Sequence, residues 1–117
     1  MLDFSTIDKV DSQKMCEVYD KWPQLAKNSF EDDLPEIQIS DIDHIVFAGM
    51  GGSGTVGDVM SAILSKTNIH VSIVKGYLLP KTVDENTLVI TTSVSGNTKE
   101  TLTILEKSKT SKARFVA

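Results

Sequence analysis

The stretch His44-Ile45-Val46-Phe47-Ala48-Gly49-Met50-Gly51-Gly52-Ser53-Gly54 decides the fold. It opens with a short apolar run of strand length, and the glycines end that run abruptly. Val56, Val59, Met60, Ile63 and Leu64 then fall at helical spacing, the pattern of a helix that lays this stripe over a sheet. A buried strand turning through glycine into a helix is the first half of a strand-helix-strand unit. The rest of the chain repeats the alternation: His70 to Val74 reads as a second strand, Pro80 breaks the path, Leu88 to Thr92 reads as a third strand, and a helix follows from about Asn97 to Lys109. Arg114 to Ala117 begins a fourth strand. Strands alternating with helices over short links predict an α/β fold with a parallel sheet and right-handed crossovers. A sheet that stops inside a strand leaves partner elements unaccounted for, so the expectation is the N-terminal part of a larger chain.

Upstream, the rhythm is different. From Asp11 onward, Met15, Val18, Tyr19, Trp22, Leu25 and Ala26 mark one amphipathic helical stripe, with Asp11 or Ser12 available as N-cap. Pro23 either kinks this helix or starts a second one, because proline lacks the amide hydrogen and clashes one turn back. Tyr19 and Trp22 read as packing groups. Ser29 to Asp43 carries Pro35 and six acids, which suits a solvated connection. The expected division is therefore residues 1–43, a helix and acidic connection, and residues 44–117, an α/β domain incomplete at its C-terminal end.

Composition bounds the function. The chain has 117 residues, 40% of them hydrophobic and 24% charged, which is an ordinary globular balance and too short for several domains. Its longest apolar run, Ile45 to Ala48, is far below the roughly 18 residues of a membrane-spanning helix. The net charge of −4 is uneven, with acids dominating before His44 and bases after it. No Lys/Arg stripe with interleaved aromatics points to nucleic acid. One cysteine, Cys16, cannot form an internal disulfide, and without a charged-then-apolar leader it reads as a small apolar residue in a reducing cytoplasm.

Two loops carry chemistry. Five of the seven glycines lie between Gly49 and Gly57, where strand becomes helix. The unpaired first amides of the following helix, aided by its dipole, form an anion site suited to phosphate, and Ser53 adds a hydroxyl there. Asp58 reads as a dipole partner in the first turn of that helix. The arrangement recurs after the third strand in Thr91-Thr92-Ser93-Val94-Ser95-Gly96-Asn97-Thr98, with hydroxyls in place of glycines. Asn97 with Glu100 reads as a capping box. Capping does not require Ser93, Ser95 and Thr98 together. In a parallel sheet both loops lie at the carboxyl ends of strands, so the two helix starts converge on one anion.

GMGGSG followed by TVGD, then SVSGNTKET at the next helix start, resembles the sugar isomerase (SIS) domain. The likeness is strongest to the bifunctional phosphoglucose/phosphomannose isomerase family. It implies a three-layer sandwich with flavodoxin-like layering and a hexose 6-phosphate ligand. It places Gly52, Ser53, Ser93, Ser95 and Thr98 on the phosphate. Val94 stands where Tyr is common and Lys99 where Glu is common; neither belongs to the hydroxyl set. The resemblance further implies an aldose-ketose isomerase interconverting glucose 6-phosphate and mannose 6-phosphate with fructose 6-phosphate, a homodimer in the cytoplasm, and no cofactor or metal. The base and ring-opening residues it implies lie past Ala117, so no catalytic residue is assigned within this sequence. His44 and His70 start strands, at the edge opposite the ligand loops, and read as packing or solvent-facing groups.

Two other readings compete. Gly49, Gly51 and Gly54 satisfy the dinucleotide fingerprint, but Val74-Lys75-Gly76 stands where that reading wants a carboxylate for the ribose. Lys75 could instead face an NADP phosphate. A non-catalytic SIS sensor of sugar phosphates is the second, although the acidic segment before His44 offers no room for a helix-turn-helix module. A P-loop is excluded, since no Gly-Lys-Ser/Thr closes the glycine loop.

Overall fold

The computed structural model describes residues 4–33 and 35–117. The chain forms two compact units, residues 1–37 and residues 38–117.

The first unit holds three short helices, α1 (Phe4–Val10), α2 (Met15–Asp20) and α3 (Trp22–Glu31). Sequence periodicity predicts one main helix here, with Asp11 or Ser12 as N-cap and Pro23 kinking it or starting a second; the structure has Asp11 at the start, Pro23 in a second helix, and α1 ahead of both. Lys14 takes a left-handed conformation (φ 56°), which breaks the path before α2. Asp11 then closes the start of α2, its carboxylate accepting the Met15 and Cys16 amides at 2.8 and 2.7 Å. Those bonds hold the Asp11 carboxyl below its ordinary pKa. Pro23 starts a new helix, sitting in the first turn of α3 where its missing N–H costs nothing. That helix runs to Glu31, past the Ser29 boundary expected from the acidic composition. Tyr19 and Trp22 meet edge to face at 4.6 Å, yet both stay more than half exposed. Cys16 is a free, half-buried thiol.

The second unit is the predicted α/β fold. Its strands are β1 (His44–Ala48), β2 (His70–Val74), β3 (Thr87–Thr91) and β4 (Arg114–Val116), all parallel, in the order β2-β1-β3-β4. Helix α4 (Gly51–Leu64) joins β1 to β2, and α5 (Lys99–Glu106), extended by a 3₁₀ turn to Lys109, joins β3 to β4. The two crossovers leave the central pair β1 and β3 in opposite directions. Right-handedness therefore puts α4 and α5 on opposite faces of the sheet, which makes three layers.

Each face is packed by a different device. On the α5 face, Val46, Ala48, Val74, Val89 and Ile104 form the buried core, and Leu79 and Val83 of the β2–β3 connection lie against it. Val46 and Val89 are fully buried, each worth about 1.5–3 kcal/mol relative to exposure. On the α4 face, the helix presents its glycines. Gly54 and Gly57 are its buried residues, while Val56, Val59 and Ile63 are about half exposed or more. Of the apolar stripe expected to cover the sheet, Val56, Val59 and Ile63 thus point outward, while Met60 and Leu64 are half-buried. The reason is close approach: a Cβ on Gly57 would stand 2.8 Å from Phe47 Cβ, so the glycine face is the one that fits.

Candidate functional site

The site lies where β1 and β3, neighbours in the sheet, send their chains to opposite faces. This divergence opens a crevice beyond the carboxyl ends of the strands, the place where ligands bind in open parallel sheets. The Gly49 amide donates to the Val74 carbonyl at 3.1 Å and the Thr92 amide to Ala48 at 2.9 Å, so the strand ladder runs right up to both loops.

The glycine loop is shaped by contact and by conformation. A Cβ on Gly49 would stand 3.0 Å from the Thr92 carbonyl oxygen, and Gly51 has φ 55°. Helix α4 begins at Gly51, five residues before Val56, with Met50 extended at the N-cap and no side chain capping it. The opening amides of α4, which have no partner within the helix, therefore belong to the glycine loop itself. This early start also corrects the placing of Asp58. It sits two turns along α4 and pairs with Lys75, Nζ to Oδ2 at 2.7 Å, and is not a first-turn dipole partner.

The second loop is a knot of hydroxyls. Ser93 Oγ lies 3.2 Å from Thr98 Oγ1 and 3.4 Å from Ser95 Oγ, and Ser95 Oγ lies 3.2 Å from Thr98 Oγ1. Ser93 Oγ accepts the Gly96 amide and Ser95 Oγ accepts the Asn97 amide, at 3.1 and 3.3 Å. Gly96 takes φ 66° to close the turn. The expected Asn97–Glu100 capping box does not form: Thr98 is the N-cap of α5 and no side chain caps it. The Glu100 carboxylate holds the pKa of the Tyr77 phenol above its ordinary value.

Between the two loops is a cavity of 350 Å³ lined by Met50, Gly52, Ser53, Val94, Ser95 and Thr98. Four of the five predicted site residues, Gly52, Ser53, Ser95 and Thr98, thus come together. Ser93 lines a separate recess with Thr91 and Thr101, and reaches the cavity only through its hydroxyl contacts. Cavity walls of hydroxyls and helix-start amides, with no carboxylate among them, suit an anion. His44 and His70 sit at the opposite edge, where they are register partners with rings 4.7 Å apart. His44 is buried, Nε2 bonded to Ser72 Oγ at 2.9 Å, and burial first and His70 second push its pKa down.

Among the described residues no cluster of three or more His, Cys, Asp or Glu side chains could hold a metal, and no helix is long and apolar enough to cross a membrane.

The SIS domain family matches residues 38–117. A bifunctional phosphoglucose/phosphomannose isomerase of Caldicellulosiruptor bescii is 40% identical over 69% of this chain and 24% of its own length. One from Aquifex aeolicus is 46% identical over 54% of this chain and 20% of its own. A D-glucosamine-6-phosphate 4-epimerase of Sulfolobus acidocaldarius is 32% identical over 75% of this chain and 27% of its own. The chain therefore spans roughly a quarter of the length of these relatives.

Proposed function

The chain belongs to the SIS domain family, and on that premise we propose that it supplies the phosphate-binding half of an aldose-ketose isomerase acting on glucose 6-phosphate and mannose 6-phosphate. Gly52, Ser53, Ser95 and Thr98 hold the phosphate, with Ser93 fixing the hydroxyl knot from behind. The observation that carries this reading is the cavity at the switch point, walled by two helix starts and by hydroxyls.

The relatives support phosphate as the recognised moiety more strongly than they support any one reaction. Their names give an isomerase in two cases and a 4-epimerase in the third, while a phosphorylated hexose recurs in all. A loop pair that grips the phosphate and leaves the sugar carbons free serves either chemistry. Isomerisation moves a proton between adjacent carbons and needs a base beside the sugar. The cavity offers none, so the proton-transfer groups come from outside the residues that line it, in a full-length homodimer on our reading.

Calorimetric titration of the chain with glucose 6-phosphate, mannose 6-phosphate, fructose 6-phosphate, unphosphorylated glucose and NADP tests the proposal. The three sugar phosphates are expected to bind with similar affinity and glucose not to bind. Equal affinity for glucose and glucose 6-phosphate would remove the phosphate reading. Tighter binding of NADP would favour an oxidoreductase, which the Lys75–Asp58 pair opposes by occupying the one cation at the end of β2.

A further inference from the structure

Gly49, Gly51 and Gly54 keep the spacing of a dinucleotide loop between β1 and α4, and the phosphate cavity does not account for that spacing. In such loops the choice of dinucleotide is made near the end of the next strand. A carboxylate there takes the ribose hydroxyls of NAD, and a cation nearby takes the 2′-phosphate of NADP. In this chain β2 ends at Val74, and the next residue is Lys75.

That cation is held elsewhere. The Lys75 stem lies on the first turn of α4, so close that a Cβ on Gly54 would stand 3.0 Å from Lys75 Cε and 3.3 Å from Lys75 Cγ. Gly54 and Asp58 are four residues apart and share a face of the helix. The side chain runs along that face, and Nζ donates to Asp58 Oδ2 at 2.7 Å. The ammonium is thus drawn along α4 away from its N-terminal end, the end that attracts an anion. Space at that end is open, since a Cβ on Gly51 or Gly52 would meet nothing within 4 Å. The pair also stands on the far side of the glycine loop from the cavity: β1 lies between β2 and β3, and the cavity's other wall, Val94, Ser95 and Thr98, follows β3. Both side chains are nearly half exposed, so the pair contributes little to folding. Its larger effect is on charge.

We propose that Asp58 is a specificity-determining residue: by holding Lys75 along α4 it denies a 2′-phosphorylated dinucleotide the cation that the loop otherwise offers, and leaves the anion site to the sugar phosphate. This rests on the reading of the α4 start as an anion site. Discrimination by a withheld partner works because a phosphate group that sheds water without gaining a cation is left uncompensated.

The test titrates NADP, NAD and glucose 6-phosphate into the chain, into its Asp58→Asn and Lys75→Met variants, and into the variant carrying both changes. NADP and NAD differ only in the 2′-phosphate, so the ratio of their affinities reads the cation. In the parent and in Lys75→Met the two dinucleotides are expected to bind equally weakly. In Asp58→Asn, NADP should bind about tenfold tighter than NAD, the effect of one charge-assisted hydrogen bond, and the preference should shrink as salt is raised. The double variant should lose it. Glucose 6-phosphate should bind all four proteins within about threefold, which also reports that the variants fold. A preference for NADP that is absent from Asp58→Asn, or that persists in the double variant, would overturn the proposal. The same preference in the parent would mean that Lys75 leaves Asp58 unaided, and would overturn it too. So would a rise in glucose 6-phosphate affinity in Asp58→Asn as large as that for NADP, because Lys75 would then act on the cavity itself. If the parent binds no glucose 6-phosphate, the sugar-phosphate reading falls by itself, and the dinucleotide ratio in Asp58→Asn still decides the role of Asp58.

Discussion

Gly57 rests directly on Phe47: a methyl group on its Cα would stand 2.8 Å from the Phe47 Cβ, a carbon fixed by the backbone of β1. Alanine has the higher helix propensity, by about 1 kcal/mol, but overpacking at a rigid contact costs about 1–3 kcal/mol. Clash therefore wins. Gly57→Ala is expected to lower the thermal midpoint of the chain, whereas Gly52→Ala, which meets nothing within 4 Å, should leave it unchanged or raise it while weakening sugar-phosphate binding. Thermal unfolding by circular dichroism distinguishes these outcomes, and a stable Gly57→Ala would mean that α4 can stand off from the sheet.

The exposed part of the α4 stripe makes a second stability prediction. Val59 is 55% exposed and Val89 is 0% exposed, although both are valines within apolar patterns of the sequence. Val59→Ser should change stability by less than about 0.5 kcal/mol, and Val89→Ala should cost about 2–3 kcal/mol. Urea denaturation of both variants measures the contrast. A cost at Val59 comparable to that at Val89 would show that the stripe is covered.

That contrast explains what sequence could and could not tell. Periodicity located α4 correctly but assigned its buried face to the larger apolar side chains. No hydropathy scale credits glycine for the proximity it allows, and proximity to Phe47 decided the orientation. The strands were legible to within one residue, because β1 and β3 are short apolar runs bounded by glycine or turn residues. The loops at their carboxyl ends were legible as a pair, because hydroxyls and glycines are costly inside elements and cluster for a reason. The links that depend on long side chains crossing between elements were not. Asp58–Lys75 spans 17 positions, and no local pattern records it. The Asn97–Glu100 spacing misled for the opposite reason: the local pattern was present, but α5 starts one residue later, with Thr98 at its N-cap.

Acid should weaken the second unit through His44. This ring is buried beside His70, and both effects push its folded pKa below the ordinary 6.5, against weaker pulls from the Thr82 carbonyl, Asp84 and Asp43. Between the folded pKa and 6.5 the unfolded chain holds the proton more readily. The contribution of neutral His44 is thus complete above about pH 6.5, declines as the pH falls through that window and levels off below the folded value. Replacing His44 by Asn should flatten stability across this range. His70→Gln should flatten it less, since burial is the larger cause. A pH profile of urea midpoints from pH 7.5 to pH 5 that is the same for parent and His44→Asn would rule out this origin.

The hydroxyls around the cavity divide into those that line it and one that supports them, and this division gives the last prediction. Ser53 and Ser95 line the cavity, and each is placed to give a charge-assisted hydrogen bond worth about 1.5–3 kcal/mol to a phosphate. Ser53→Ala and Ser95→Ala should therefore each weaken glucose 6-phosphate binding on the order of tenfold or more. Ser93 lies outside the lining but bonds Thr98 Oγ1 at 3.2 Å and accepts the Gly96 amide at 3.1 Å. Its removal frees both groups without deleting a phosphate contact, so Ser93→Ala should weaken binding by a smaller factor and also loosen the loop. Thr98→Ala combines both losses, because Thr98 lines the cavity and is the N-cap of α5. Calorimetry with glucose 6-phosphate gives the affinities, circular dichroism reports the helix, and the exposed Lys112→Ala serves as control. If Ser93→Ala proves as damaging as Ser95→Ala while the helix is unchanged, Ser93 itself holds the ligand. If Ser53→Ala and Ser95→Ala both bind as tightly as the parent, the hydroxyls serve only the turn and the converging helix starts do not recognise phosphate.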